Sequence, residues 1–169
     1  NSYVFMLAFL PLTLFVYFML GRLPERIQLN KLFLVLASFF FYGYNNPNYV
    51  PIIVISILVN YMLSQMMLTS EKKLLRLPLM LLGLSLNLGV LFYFKYHDFF
   101  VLNLNAAFGT KFSLYRLALP LGISFFTFQQ LSFQIRTYKT TDKSLNFIDY
   151  TLFVSFFPQL IAGPIVLYE

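Results

Sequence analysis

The sequence predicts an all-α fold, a multi-pass transmembrane helical protein. Three observations carry this. The 169 residues are 59% apolar and only 11% charged, where a soluble domain carries about 25% charged residues. The apolar residues fall into six long runs, several of them near the roughly 20 residues that a helix needs to cross a bilayer. The charged residues gather between the runs.

The first run, Val4–Leu20, holds Pro11, which removes one backbone N–H and predicts a kink. No basic stretch precedes it and no small-residue cleavage site follows, so it reads as a retained span. The second, Ile27–Tyr44, stops at Asn45-Asn46-Pro47-Asn48, a strong turn signal. Tyr49–Thr69 and Leu77–Tyr96 are the third and fourth. Ala118–Tyr138 is the fifth and Phe147–Ala162 the sixth. The connection 97–117 is expected to be interfacial and extracytoplasmic, with a short interfacial or re-entrant helix in its apolar beginning.

Charge placement orients these spans. Arg22, Arg26, Lys31, Lys72, Lys73, Arg76, Arg136, Lys139 and Lys143 share one side if every run crosses. Lys95, Lys111 and Arg116 fall on the other. The positive-inside rule makes the first side cytoplasmic and the N-terminus extracytoplasmic. The same distribution explains the net charge of +6 through topology and contact with membrane lipid, and nucleic acid is not an expected partner.

Few residues offer chemistry. There is no Cys, and His97 is the single His. No metal site is expected, nor can a nucleophile–base pair be assembled. His97, beside Asp98 after the fourth run, reads as an interfacial or capping residue. Lys95 is expected to snorkel. Asp149 and Glu169 stand isolated in the sequence and receive no acid–base role.

The fifth and sixth runs are different. In the fifth, Ser124, Thr127, Gln130 and Gln134 fall on one helical face, and Gly122, Gln129, Ser132 and Arg136 on another. A helix polar on two faces must be buried among other helices, because hydrocarbon leaves polar groups unpaired. In the sixth, Pro158 deprives the Val154 carbonyl of its helical partner and Gly163-Pro164 ends the helix. A helix broken at membrane depth is tolerated where protein or a wet cavity surrounds it.

Leu119–Phe128 (LPLGISFFTF) and Phe156–Ile165 (FFPQLIAGPI) resemble the membrane-bound O-acyltransferase family. The likeness is to its bacterial alginate and peptidoglycan O-acetyltransferase membrane subunits. Asn1–Phe5, Ala37–Tyr42 and Lys95–Phe99 add shorter matches. Arg136 departs from the family, which commonly has an acidic residue before the position of Tyr138. The resemblance implies that residues 1–169 are the N-terminal part of a single domain built as a ring of helices around a tunnel. It implies transfer of an acyl group, with acetyl-CoA as the expected donor, across a bacterial inner membrane to an extracytoplasmic polysaccharide, helped by an extracytoplasmic partner protein. The catalytic His of the family falls in a later segment, so no catalytic residue is expected within this chain. Phe125, Phe128, Gln129, Gln159 and Pro164 are the tunnel-side candidates. The alternative from another class is a transporter or flippase subunit, since broken helices also occur there. No internal repeat or intramembrane ionisable residue supports it.

Overall fold

A computed structural model of the chain describes residues 5–22, 27–70, 73–140 and 145–162. Their regular structure is entirely helical, with no strand among the described residues. Helix α1 is Leu10–Gly21 and α2 is Ile27–Asn45. A 3₁₀ turn at Pro47–Tyr49 leads into α3, Val50–Thr69. Helix α4 is Lys73–Leu91 and α5 is His97–Phe108. Then follow α6, Ile123–Lys139, α7, Phe147–Ser155, and α8, Phe157–Ala162.

Local chemistry sets several of these boundaries. A π-helical turn, Phe5–Phe9, precedes α1, in which Pro11 sits in the first turn. Pro11 thus falls where the π-helical turn gives way to the regular α-helix, and the expected kink becomes a change of helix type. The Asn46 side chain accepts from the Asn48 N–H at 3.1 Å and caps the turn before α3. The Asn146 side chain does the same for α7 through the Ile148 N–H at 2.9 Å.

The fourth apolar run does not end at Tyr96. A second π-helical turn, Phe92–Tyr96, joins α4 to α5, and the continuous helix reaches from Leu74 to Phe108. Its 35 residues extend about 52 Å at about 1.5 Å per residue, well beyond a hydrocarbon core of about 30 Å. So the expected short helix exists as α5, but as a prolongation of the fourth segment. Pro47–Thr69 is the other described helix long and apolar enough to cross a membrane; Leu7–Gly21 is apolar but shorter.

The helices pack in two groups. Helices α3, α4 and α6 form one mutually packed set; α2, α7 and α8 form the other, and α1 lies against α2. The two sets meet where α7 touches α3 and α6. There Tyr42, Ile53, Ile57, Phe126, Phe133, Tyr150 and Val154 make a continuous core. Phe133 and Tyr150 pack with ring centres 4.2 Å apart, and Phe9, Phe41 and Phe157 form a second aromatic contact joining the turn before α1 to α2 and α8. Across the junction of α2 and α7, Lys31 pairs with Asp149 at 2.5 Å. Asp149, isolated along the sequence, is therefore an ion-pair partner in the fold.

The connection after α5 is held by side chains of the preceding helix. Helix α5 ends at Gly109, whose φ of +63° is the left-handed stop that favours glycine. Asn105 accepts from the Phe112 N–H at 3.0 Å and donates to the Phe112 carbonyl at 3.0 Å. The Asp98 carboxylate accepts from the backbone N–H groups of Tyr115 at 3.0 Å and Arg116 at 2.8 Å. Arg116 has φ +46°, the one positive value among described non-glycine residues. That conformation is unfavourable for a side chain with a Cβ, and the paired bonds to Asp98 hold it. His97 completes the clamp: its Nδ1 lies 3.0 Å from Asp98, and its ring stacks on Tyr115 at 4.6 Å. The capping role expected for His97 is thus a role in pinning 109–120 back onto α5. Replacing Asp98 by Ala is expected to accelerate amide exchange at Tyr115 and Arg116 by about tenfold or more, with little change in α3 or α6. Hydrogen-exchange mass spectrometry over 110–118 measures it.

Candidate functional site

The polar residues of the membrane-depth helices segregate into two places. The first is an amide network between α3, α4 and α6. Asn60 of α3 and Asn87 of α4 bond reciprocally: Asn87 Nδ2 donates to Asn60 Oδ1 at 2.6 Å and Asn60 Nδ2 donates to Asn87 Oδ1 at 3.2 Å. Asn60 Nδ2 also donates to Gln130 Oε1, which takes a second bond from Ser56 Oγ at 3.1 Å. Gln134 Nε2 donates to the Asn60 carbonyl at 3.0 Å and to Asn60 Oδ1 at 2.8 Å. Asn60, Asn87, Gln130 and Gln134 are all buried, the two glutamines completely.

Gly83 makes this approach possible. A Cβ at Gly83 would come 3.0 Å from Gln134 Cδ and 3.2 Å from its Oε1, closer than packed side chains tolerate without displacement. The missing side chain lets the Gln134 amide lie directly on α4, the use of small residues expected at membrane helix contacts. Of the two polar faces expected for the fifth run, the first is buried at Thr127, Gln130 and Gln134 and half-buried at Ser124, whereas on the second only Gln129 is buried and Gly122, Ser132 and Arg136 are half-buried. The sequence reading missed Asn60 and Asn87. Each is an amide in the middle of an apolar run, which by itself was the available signal.

The second place is the break in the sixth run. Helix α7 ends at Ser155, Phe156 is non-helical with φ −55° and ψ 108°, and α8 starts at Phe157. The break thus falls two residues ahead of Pro158, which sits in the first turn of α8, where its missing N–H costs no internal bond. The Phe157 N–H finds a substitute acceptor, Ser38 Oγ of α2, at 3.3 Å, while that hydroxyl donates to the Leu34 carbonyl at 2.7 Å. The Gln159 N–H bonds the Phe156 carbonyl at 3.1 Å. Close by in the chain and buried are Thr151 and Ser155, whose hydroxyls, like that of Tyr42 on the facing helix α2, have no hydrogen-bond partner.

The tunnel-side candidates are dispersed around these features. Gln129 is buried, and its Oε1 has no hydrogen-bond partner. Phe125 is half-buried on the same helix. Phe128 is 43% exposed and faces outward from the described bundle. Gln159 is half-buried on α8, which packs against α2 and α6. Pro164 lies outside the described residues. Lys95, expected to snorkel, reaches Ser124 Oγ in the first turn of α6 at 3.3 Å. Arg76, a member of the basic side, does more than mark topology. It donates to the carbonyls of Ser70 and Thr140, the residues that end α3 and α6. A guanidinium at two helix C-termini satisfies carbonyls that no helical N–H can reach.

The helix bundle, the amide network and the broken sixth segment define an integral membrane protein of the multi-pass α-helical class. Comparison with known proteins narrows this. The chain is 40% identical to a peptidoglycan O-acetyltransferase of Helicobacter pylori, over 98% of its own length and 36% of the relative's. It is 34% identical to probable alginate O-acetylases AlgI of Pseudomonas putida and Pseudomonas aeruginosa, over its full length and 35% and 33% of theirs. No family model matches the chain, and no solved structure matches it. The chain belongs to the membrane-bound O-acyltransferase family, with peptidoglycan and alginate O-acetylases as its relatives, and is a membrane protein. It spans about a third of the length of those relatives.

Two substitutions test the network. Asn60→Leu strands the amides of Asn87, Gln130 and Gln134 and is expected to destabilise the protein by about 3 kcal/mol. Ser56→Ala, which removes one of two donors to Gln130 Oε1, is expected to cost under about 1 kcal/mol. Unfolding by denaturing detergent, followed by circular dichroism, ranks the two. Gly83→Ala is expected to fall between them, at about 1–3 kcal/mol, by overpacking.

Proposed function

We propose that the chain is the N-terminal part of a membrane O-acetyltransferase that moves an acetyl group across the bacterial inner membrane to a hydroxyl of an extracytoplasmic polysaccharide. The observation that carries this reading is similarity along the entire chain to proteins named for O-acetylation of peptidoglycan and alginate. None of the relatives named above is a transporter. Acetyl-CoA is the donor in this reading, since it is the soluble cytoplasmic source of an activated acetyl group. The nine basic residues of one side support a cytoplasmic face there and an extracytoplasmic N-terminus. An extracytoplasmic protein partner would take the acetyl group onward.

The helices of this chain supply wall and frame rather than the reacting residue. The family resemblance puts the catalytic His in a later segment, as general base toward an acceptor hydroxyl. The break at Phe156 and the unpaired Gln129 amide oxygen are the features best suited to border an acyl path. Gln129 Oε1 and, beside the break, the Thr151 and Ser155 hydroxyls are buried polar atoms without a hydrogen-bond partner. Gln159 stands beside the break. Phe128, which is exposed on this bundle, would border the path only if helices from the rest of the protein closed over it.

Acetyl transfer from radiolabelled acetyl-CoA into glycan, in membranes carrying the full-length protein, tests the proposal. Peptidoglycan and alginate are offered as separate acceptors. Transfer to neither, with the protein correctly inserted, removes the reading. Gln129→Leu and Gln159→Leu are expected to lower transfer about tenfold, the equivalent of one lost hydrogen bond in the path, while leaving the unfolding transition in place. Unchanged transfer in a folded Gln159→Leu variant would return that residue to packing alone.

A further inference from the structure

The amide network leaves two of its own atoms over. Gln130 Nε2 is a donor without an acceptor, and Gln134 Oε1 is an acceptor without a donor. Both residues have 0% exposed surface. They stand one helical turn apart on the same face of α6, a spacing that puts Cβ atoms about 5–6 Å apart. The two amides do not bond each other, because each turns its other end toward α3: Gln130 Oε1 to Ser56 and Asn60, Gln134 Nε2 to Asn60.

We infer that one ordered water molecule sits between them, accepting from Gln130 Nε2 and donating to Gln134 Oε1. The chemistry selects water over other occupants. The requirement is for a molecule that both accepts and donates within one turn of helix. A cation would be repelled by the Gln130 N–H group, and no carboxylate of the described residues lies in the network to neutralise it. An apolar chain would leave both amide atoms unpaired, at a cost of roughly 1–3 kcal/mol each. Burial of Asn60, Asn87, Gln130 and Gln134 closes the place to larger ligands. On the α4 side, Gly83 is already in contact with the Gln134 amide. Buried waters usually make about three hydrogen bonds. Ser64 offers the third: its hydroxyl is buried and unpaired, one turn along α3 from Asn60, whose carbonyl receives Gln134 Nε2. With the water in place, every amide oxygen and nitrogen of Asn60, Asn87, Gln130 and Gln134 has at least one partner. The water belongs to the frame, and it does not depend on the proposed acetyl transfer.

An experimental structure of the full-length protein in lipid, at about 2 Å resolution, is the direct test. The expected result is a density peak within about 3.2 Å of both Gln130 Nε2 and Gln134 Oε1. A direct Gln130–Gln134 bond, a side chain or lipid filling the place, or no peak would each overturn the inference. Cross-relaxation between water and glutamine side-chain amide protons in ¹⁵N-glutamine-labelled protein provides a second readout. A long-lived water contact is expected in the unmodified protein and is lost in Gln130→Met. Absence of any such contact in the unmodified protein overturns the inference even if the variant fails to fold.

Discussion

The structure depends on the bond pair between Asn60 and Asn87. Apolar side chains do not distinguish a helix neighbour from a lipid tail, so burial of apolar area does little to choose which helix faces which in a membrane. An amide at membrane depth does choose, because it must find a partner or stay unpaired in a medium that offers none. Asn60 bonds Asn87, Gln130 and Gln134 at once. It thereby fixes the rotation of α3, α4 and α6 about their own axes. Gly83 then determines how closely α6 can approach α4. The apolar core around Ile53, Ile57 and Phe133 is packed on a frame whose register those amides have set.

A related logic appears at several helix ends and turns. Backbone groups there lack a helical partner, and a side chain from another segment supplies one. Ser38 of α2 accepts from the Phe157 N–H at the break between α7 and α8. Arg76 of α4 donates to the ends of α3 and α6. Asp98 accepts from the left-handed turn at Arg116. Tyr49 donates its hydroxyl to the Ala118 carbonyl at 2.7 Å. Most of these contacts join segments far apart in the chain, so the breaks double as the points where the two helix groups and the connection 109–120 are fastened.

Hydropathy and proline placement were enough to read the helices, because both act locally. The start of α3 at Val50 and the interruption near Pro158 were legible in this way. The extent of the fourth segment was not. The π turn at Phe92–Tyr96 adds a residue to one helical turn, and hydropathy is blind to such a change. Of the amide network, the α6 half was readable, since Gln130 and Gln134 share a face by spacing alone. The α3 and α4 half was not, since a single Asn in an apolar run has no periodicity to mark it. Asp149 looked isolated for a similar reason. Its partner Lys31 belongs to a distant helix, and only the packing of α7 on α2 brings them together.

The separation of polar groups into two places bears on where function resides. Gln130 and Gln134 are occupied with α3; taking them away would cost stability before it touched any ligand. Gln130 and Gln134 each keep one amide atom unpaired but bind α3 with the other, whereas Gln129, Thr151, Ser155 and Tyr42 have unpaired polar atoms outside that network. They are buried, they sit on helices that flank the Phe156 break, and their free polar atoms contribute nothing to packing. Burying such an atom without a partner costs roughly 1–3 kcal/mol, which a frame built only for stability would avoid by using Leu or Ala. Polar atoms at membrane depth that the frame leaves unused are the atoms available to something that passes through it. In the proposed acetyltransferase that passenger is an acyl group and its carrier. The neighbouring residue Phe128 is exposed on this bundle, and in the same proposal helices from the two thirds of the relatives' length that this chain does not cover would close over it.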